Sequence, residues 1–196
     1  MRLRNPLFAP ADSERKVTKA YASAADAVIL DLEDSVAPSA KPAARNAAAA
    51  RLASDAGRPG IIVRVNPRDT EWYLPDLAAV VPVQPEAILL PKCTGPADLQ
   101  ALDHHLEALE VATGLPVGGI GVLALATETA ASLRCMDYAG VTPRLLALLF
   151  GAEDLAADLG IEARDVDGAH TAPIAAARSA GPAGLVRAAD CTTGWQ

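Results

Sequence analysis

Six short apolar runs alternate with longer, alanine-rich segments, and this alternation restricts the fold more than any other feature of the chain. Each run has the length of a strand and is apolar at nearly every position, which suits parallel strands that are buried on both faces. The segments between the runs have the length of helices, so the pattern predicts a parallel α/β architecture. The predicted strands span residues 7–9, 27–32, 61–65, 87–90, 119–125 and 145–150.

Helix signals lie between these runs. The clearest one covers residues 96–113, because Pro96 occupies an early helical position, Asp98 lies in the first turn and Gly114 follows the end. Beyond Gly160 the pattern predicts no clear strand. Further helices are predicted over residues 12–24, 39–56, 129–138 and 155–159.

Polar or charged residues follow five of the six runs. An open doubly wound sheet usually carries a Gly-rich phosphate-binding turn after its first strand, and neither GxGxxG nor GxxxxGK[ST] occurs here. In a (β/α) barrel all strand ends converge on one mouth, where active sites are built. We therefore predict a TIM (β/α)8-type barrel. The residues at the strand ends are Asp31, Glu33, Arg64, Asn66, Lys92, Glu128, Glu153 and Asp154.

The chain is acidic, with 24 Asp and Glu residues against 17 Lys and Arg residues and a formal net charge of -7. Such a chain without a basic run is a poor binder of nucleic acid or of anionic membranes, although a local basic site for a small anion is compatible with it. The three cysteines lie far apart and form no CxxC motif, which argues against a zinc site or a disulfide framework. The N-terminal residues contain no apolar segment of signal-peptide length, and we expect a cytoplasmic protein.

Two carboxylate positions follow consecutive predicted strands, Glu128 after the fifth and Glu153 with Asp154 after the sixth. Neighbouring strands lie ~5 Å apart, so these carboxylates could share one Mg²⁺ ion, which prefers one or two carboxylates and completes its shell with water and substrate. The alternative is that Glu128 and Asp154 cap the following helices. The convergence of strand ends favours the metal site.

Arg64 interrupts an otherwise apolar strand, Ile61–Val65. A buried guanidinium requires a partner. That partner could be Asp31 or Glu33 within the protein, or the carboxylate of a substrate held by two parallel hydrogen bonds. Both interpretations remain open at this point.

Several motifs, taken in order, resemble the HpcH/HpaI aldolase and citrate lyase family, and most closely its citrate lyase β-subunit-like branch. They are LFAPA, AVILDLEDSVAP, a Lys41-x₃-Arg45 spacing, RVNP, AILLPK, LALATET and LLFGAEDLAADLG, and they extend over residues 4–160. The resemblance implies a TIM barrel. It also implies Mg²⁺-dependent cleavage or formation of a carbon–carbon bond beside a thioester.

The resemblance also assigns roles to individual residues. Glu128 and Asp154 match the metal ligands, and Glu128 thereby also contacts the substrate. Arg64 matches the arginine that holds the carboxylate of the oxo acid, and Glu33 matches an acidic residue near the metal, so that both belong to the catalytic set. Basic contacts to the phosphates of the thioester carrier are implied for Arg4, Lys41 and Arg45.

The expected function is therefore that of a carbon–carbon lyase that acts on a citryl-, malyl- or citramalyl-thioester of CoA or of an acyl carrier protein. An acyl-CoA thioester hydrolase on the same scaffold, or an inactive protein that binds an oxo acid or CoA, are the alternatives. The family resembled here extends well beyond Gly160, and residues 161–196 are expected to be an atypical or truncated part of the domain whose barrel core is residues 1–160. Exposed sheet edges would then favour a homo-oligomer with weak or absent activity, and the resemblance favours a trimer.

Overall fold

Seven parallel strands lie side by side in the order in which they occur along the chain. A computed structural model describes residue 3, residues 5–54 and 60–161, and the backbone of residues 184–187. Hydrogen-bonded pairs connect each strand to the next within this part of the chain, and none of them joins the seventh strand to the first. The strands are β1 (Pro6–Pro10), β2 (Ala27–Asp31), β3 (Ile61–Arg64), β4 (Ala87–Leu90), β5 (Gly121–Leu125), β6 (Leu145–Phe150) and β7 (Gly184–Arg187).

Helices occupy most of the connections between the strands. The sequential order of parallel strands with helical crossovers is that of a TIM-type (β/α) barrel, as the sequence predicts. None of the described helices is long and apolar enough to cross a membrane. The α-helices are α1 (Glu14–Tyr21), α2 (Lys41–Ser54), α3 (Tyr73–Val80), α4 (Pro96–Thr113) and α5 (Ala152–Leu159), and short 3₁₀ turns span Pro38–Ala40, Val81–Val83 and Ser132–Arg134.

Buried side chains form two main layers, one on each face of the strands. The inner layer consists of alternate strand residues, among them Phe8, Ile29, Ile62 and Leu123. The outer layer combines the other strand residues with the inward faces of the helices. Because both faces of each strand are covered, the strands are apolar at nearly every position, which is why the sequence identifies the first six of them.

Three elements differ from the sequence-based expectation. The predicted helix over residues 129–138 is wrong: only the 3₁₀ turn Ser132–Arg134 forms there, since the Ser132 hydroxyl donates to the Thr129 carbonyl and local bonds of this kind compete with a helix. Helix α3 forms although the sequence predicts no helix there. Its N-cap residue is Trp72, which is not one of the usual capping residues. Strand β7 also forms, against the expectation of no strand after Gly160, with Gly184 paired to Ala147 of β6. Its three-residue apolar run is too short to identify without that pairing partner.

A buried ion pair fastens the amino end of the barrel. Glu110, in the last turn of α4, accepts hydrogen bonds from Nη1 and Nη2 of Arg144 at 2.8 and 2.7 Å. The same carboxylate accepts the backbone N–H groups of Gly118 and Ile120 at 2.8 and 3.1 Å. Burial opposes its ionisation, but the hydrogen bonds from Arg144 and from these two amides outweigh burial and lower the pKa of Glu110. The carboxylate thereby links α4 to the chain entering β5 and β6.

We expect Glu110→Gln to lower the free energy of unfolding by about 3 kcal/mol, because the buried Arg144 guanidinium would lose its fully buried charge partner and keep only the partly exposed Asp103. Urea unfolding at neutral pH measures this loss. Since the pKa of Glu110 is lowered in the folded state, the ionised carboxylate stabilises the fold above its ordinary value of 4.5, and this stabilisation is lost as the pH falls through the folded-state pKa. The difference between variant and wild type should therefore shrink in acid.

The matched control is Glu107→Gln, an exposed position on the same helix, where a change within about 0.5 kcal/mol is expected. Equal free energies of unfolding for Glu110→Gln and Glu107→Gln would contradict the stabilising role of the ion pair between Glu110 and Arg144.

Candidate active site

The parallel register brings the charged residues that follow the strands to one end of the barrel. Asp31 and Arg64 are the last residues of β2 and β3, and their Cα atoms are direct register partners. Glu33 follows β2, Lys92 follows β4 and Glu128 follows β5. The carboxyl end of the sheet therefore carries a dense group of opposite charges, as the sequence predicts for a barrel mouth.

Arg64 forms the central ion pair of this group. Its Nε and Nη2 atoms donate to the two carboxylate oxygens of Asp31 at 2.7 and 2.8 Å. Its Nη1 atom lies 3.1 Å from Oε2 of Glu33, and the guanidinium carbon lies 4.8 Å from the centroid of the Phe8 ring. The structure thus contains the internal partners that the sequence offered as one interpretation, while the guanidinium also faces the cavity described below.

Asp31 shapes the turn that presents Glu33. Besides holding Arg64, its carboxylate accepts the backbone N–H groups of Glu33 and Ser35 at 2.9 and 3.1 Å, and also the Ser35 hydroxyl. Burial opposes ionisation, yet the hydrogen bond and charge of Arg64 keep the pKa of Asp31 below its ordinary value. Asp31 is not among the predicted catalytic, substrate-binding or metal residues, and the sequence analysis names it only as a strand-end residue and a possible partner of Arg64. Its position two residues before Glu33 was the available signal.

Three carboxylates converge beside this pair. One ligand oxygen from each of Glu33, Asp34 and Glu128 lies within 4.8 Å of the others. Oε2 of Glu128 accepts the backbone N–H of Lys92, whereas the buried Oε1 atom makes no hydrogen bond. Burial, assisted by the charges of Glu33 and Asp154, raises the pKa of Glu128 to about 8. Burial also raises the pKa of Glu33.

These residues fit a hard divalent cation. Carboxylate oxygens are the ligands that Mg²⁺ prefers in proteins. A buried carboxylate oxygen that lacks a hydrogen-bond partner requires an explanation, and a bound cation at Oε1 of Glu128 would supply its missing partner. No α-helix lies between Glu128 and β6, so the alternative that Glu128 caps the following helix is wrong. Asp154 does lie in the first turn of α5, as that alternative requires of it.

Asp154 lies next to this cluster rather than within it. It belongs to the first turn of α5 and lines the cavity, but it is not one of the three converging carboxylates. Gly151 separates it from Glu128: a Cβ atom at Gly151 would lie 2.8 Å from Cγ of Glu128 and 3.7 Å from Oδ2 of Asp154. The residues of the predicted metal pair, Glu128 and Asp154, thus both lie beside Gly151, while Glu33 and Asp34 converge with Glu128.

A cavity of about 350 Å³ opens beside the ion pair. Cationic groups and carboxylates both line it, which suits an anionic substrate held together with a cation. The charged lining residues are Lys16, Arg64, Asp31, Asp34, Glu153 and Asp154.

Lys41 lies beneath the site, not in the cavity. Its ammonium donates to the carbonyls of Leu32 and Glu33, both at 3.0 Å, and to Oδ1 of Asn66 at 2.6 Å. A lysine ammonium has three donors, and all three are used here. The contact to a carrier phosphate that the resemblance implies for Lys41 therefore has no free donor in this arrangement, and the residue holds the backbone around Glu33 in place.

Asp76 extends this network. Its carboxylate accepts the backbone and side-chain N–H groups of Asn66 at 3.0 and 2.7 Å, and Nε of Arg45 at 2.8 Å. Arg45 is thus paired within the protein, and its predicted contact to a carrier phosphate stays a prediction. Arg4 lies outside the described residues, so its predicted role stays a prediction as well.

The comparisons with known proteins agree with this geometry. The model of the HpcH/HpaI aldolase/citrate lyase family matches residues 4–191. A (3S)-malyl-CoA thioesterase from Cereibacter sphaeroides is 37% identical over 158 residues, which cover 80% of this chain and 51% of that protein. Citrate lyase subunit beta from Escherichia coli strain K12 is 34% identical over 184 residues, covering 91% of this chain and 61% of that protein.

A solved structure is similar over most of its length. The citrate lyase beta subunit from Mycobacterium tuberculosis, complexed with oxaloacetate and magnesium, is 34% identical and superposes with a TM-score of 0.69. The match covers 93% of this chain and 77% of that one.

The chain spans about half the length of the first curated relative, whereas the family model extends over nearly all of the chain. The strand order, the charged barrel mouth and the motifs that carry the resemblance all agree with that match. The chain belongs to the HpcH/HpaI aldolase/citrate lyase family.

Proposed function

We propose that this chain carries the site of a Mg²⁺-dependent carbon–carbon lyase that cleaves, or forms, a 3-hydroxyacyl thioester such as a citryl-, malyl- or citramalyl-thioester. The products of cleavage are an oxo acid and an acyl thioester of CoA or of an acyl carrier protein. The observation that carries the proposal is the buried Arg64 guanidinium beside three converging carboxylates, Glu33, Asp34 and Glu128. The relative named citrate lyase subunit beta supports it.

The chain's own residues suit this reaction. Cleavage removes the proton of the 3-hydroxyl group, breaks the C2–C3 bond, and leaves the electron pair on the thioester as an enolate that is then protonated at C2. Arg64 would hold the carboxylate of the departing oxo acid and offset the charge that develops on its oxygens. Glu33 would keep Arg64 and Lys92 in place through its two carboxylate oxygens.

The carboxylates of Glu128, Glu33 and Asp34, with Asp154 beside them, would hold the cation. When bound, Mg²⁺ supplies Lewis acidity and a template for the carboxylate and carbonyl oxygens of the oxo acid.

A thioester hydrolase is the second candidate, because a relative at 37% identity carries that name. Incubation with malyl-CoA or citramalyl-CoA and Mg²⁺ separates the two. Glyoxylate or pyruvate together with an acyl-CoA supports the lyase, whereas a free hydroxy acid with free CoA supports the hydrolase. Binding of oxaloacetate and Mg²⁺ without turnover would instead indicate an inactive binding protein. A cytoplasmic location and a homo-oligomeric state, with a trimer favoured, stay predictions.

We expect Glu128→Gln and Asp154→Asn to weaken Mg²⁺ binding by roughly tenfold or more each, because a neutral amide replaces an anionic oxygen ligand. Isothermal titration calorimetry with MgCl₂ measures the dissociation constants. Glu107→Gln, exposed on α4, is the control and should bind as the wild type does. If only Asp154→Asn kept the Mg²⁺ affinity of the wild type, Asp154 would not be a metal ligand, and the ligands would be the three converging carboxylates.

We expect Arg64→Lys to weaken oxaloacetate binding in the presence of Mg²⁺ by roughly tenfold, because the ammonium keeps the charge but cannot pair with both oxygens of Asp31 and still present donors to the substrate. Arg68→Lys is the matched control, since Arg68 pairs with Asp98 on the surface. If the Arg64 variant lost stability but bound oxaloacetate normally, Arg64 would be only the structural partner of Asp31.

A further inference from the structure

Lys92 has an unusual backbone conformation at the edge of the candidate metal site. Its φ angle is 49°, and Gln84 is the other non-glycine residue with positive φ in the described part of the chain. Side chains disfavour this left-handed region, and residues held there cluster at functional sites. Lys92 follows β4, so the conformation falls at the mouth of the barrel and not in a remote turn.

This conformation lets a single residue contact the whole carboxylate cluster. The backbone N–H of Lys92 donates to Oε2 of Glu128. Its Nζ atom lies 2.8 Å from Oε1 of Glu33 and 3.6 Å from Oδ1 of Asp34. These are the same three carboxylates whose oxygens lie within 4.8 Å of one another.

The charges explain why an ammonium belongs there. Three carboxylates this close repel one another when ionised. Arg64 directs Nε and Nη2 to Asp31, so that only Nη1 lies near the cluster, 3.1 Å from Oε2 of Glu33 and 3.8 Å from Oδ2 of Asp34. The ammonium of Lys92 offsets the remaining charge of Glu33 and Asp34. A divalent cation that bound to the same carboxylates would be repelled by this ammonium, because two like charges would then share one cluster.

We propose that Lys92 is the built-in counter-ion of the metal site: its ammonium holds Glu33 and Asp34 in place when no divalent cation is bound, and thereby weakens the affinity of the site for that cation. The inference rests on the proposed function, because it requires that the three carboxylates bind Mg²⁺. It concerns a residue that is not itself a ligand and that acts through Glu33 and Asp34.

The test compares Lys92→Gln with the wild type by calorimetry with MgCl₂ and by thermal unfolding. Removing the ammonium should tighten Mg²⁺ binding by about three- to tenfold, the range expected for one exposed charge a few ångströms from a dication in salt. The melting temperature without cation should fall, and the rise produced by Mg²⁺ should be larger than in the wild type. A purely structural lysine would lower the melting temperature without tightening Mg²⁺ binding.

Two further variants isolate the charge. Lys92→Arg keeps it and should bind Mg²⁺ as the wild type does. Lys19→Gln removes the same charge from the last turn of α1, which lies toward the opposite end of the barrel because helices run antiparallel to the strands, and should also bind normally. If the Gln variant does not fold, Lys92→Asn replaces it, since asparagine adopts positive φ more readily.

The outcomes separate this inference from the proposed function. Equal or weaker Mg²⁺ affinity in the neutral variants, with normal binding by the wild type, overturns the role of Lys92 and leaves the metal site intact. A wild-type chain that binds no Mg²⁺ overturns both.

Discussion

The ion pair between Asp31 and Arg64 is the interaction on which the rest of the barrel mouth depends. Each group would be costly to bury alone, and together they form two parallel hydrogen bonds across neighbouring strands. The Asp31 carboxylate also accepts the backbone N–H of Glu33 and so stabilises the turn that carries Glu33. The third nitrogen of Arg64, Nη1, forms an ion pair with the Glu33 carboxylate. A single pair thus fixes the register of β2 against β3, the turn after β2 and the position of the first acidic side chain of the site.

Much of this arrangement follows from the sequence by physical necessity. Strands covered on both faces must be apolar at nearly every position. The six short apolar runs are therefore recognised as the first six strands. Parallel strands that follow one another in a barrel must end at the same mouth, so charged residues such as Arg64 and Glu128 must meet there. The same topology explains why Glu33, after β2, and Glu128, after β5, lie close together.

The remaining features depend on contacts that sequence patterns do not encode. The segment after Glu128 has helical composition, but the Ser132 hydroxyl bonds to its own local backbone instead. Lys41 carries a charge that suggests a surface contact, whereas in the fold its ammonium donates to two carbonyls of the turn after β2 and to the Asn66 side chain after β3. The separation of Glu128 from Asp154 is set by the path of the chain at Gly151. These are tertiary effects, and only the folded chain displays them.

The ion pair of Glu110 with Arg144 lies at the opposite end of the strands from the charged mouth. Strands of four to six residues separate the two ends by roughly 13–20 Å, beyond the range over which substitutions usually influence one another. A lineage of such proteins can therefore change the loops around the charged mouth while the ion pair at the far end keeps the barrel folded. For protein engineering, the same separation makes selectivity and robustness two properties that can be altered in independent rounds of mutagenesis.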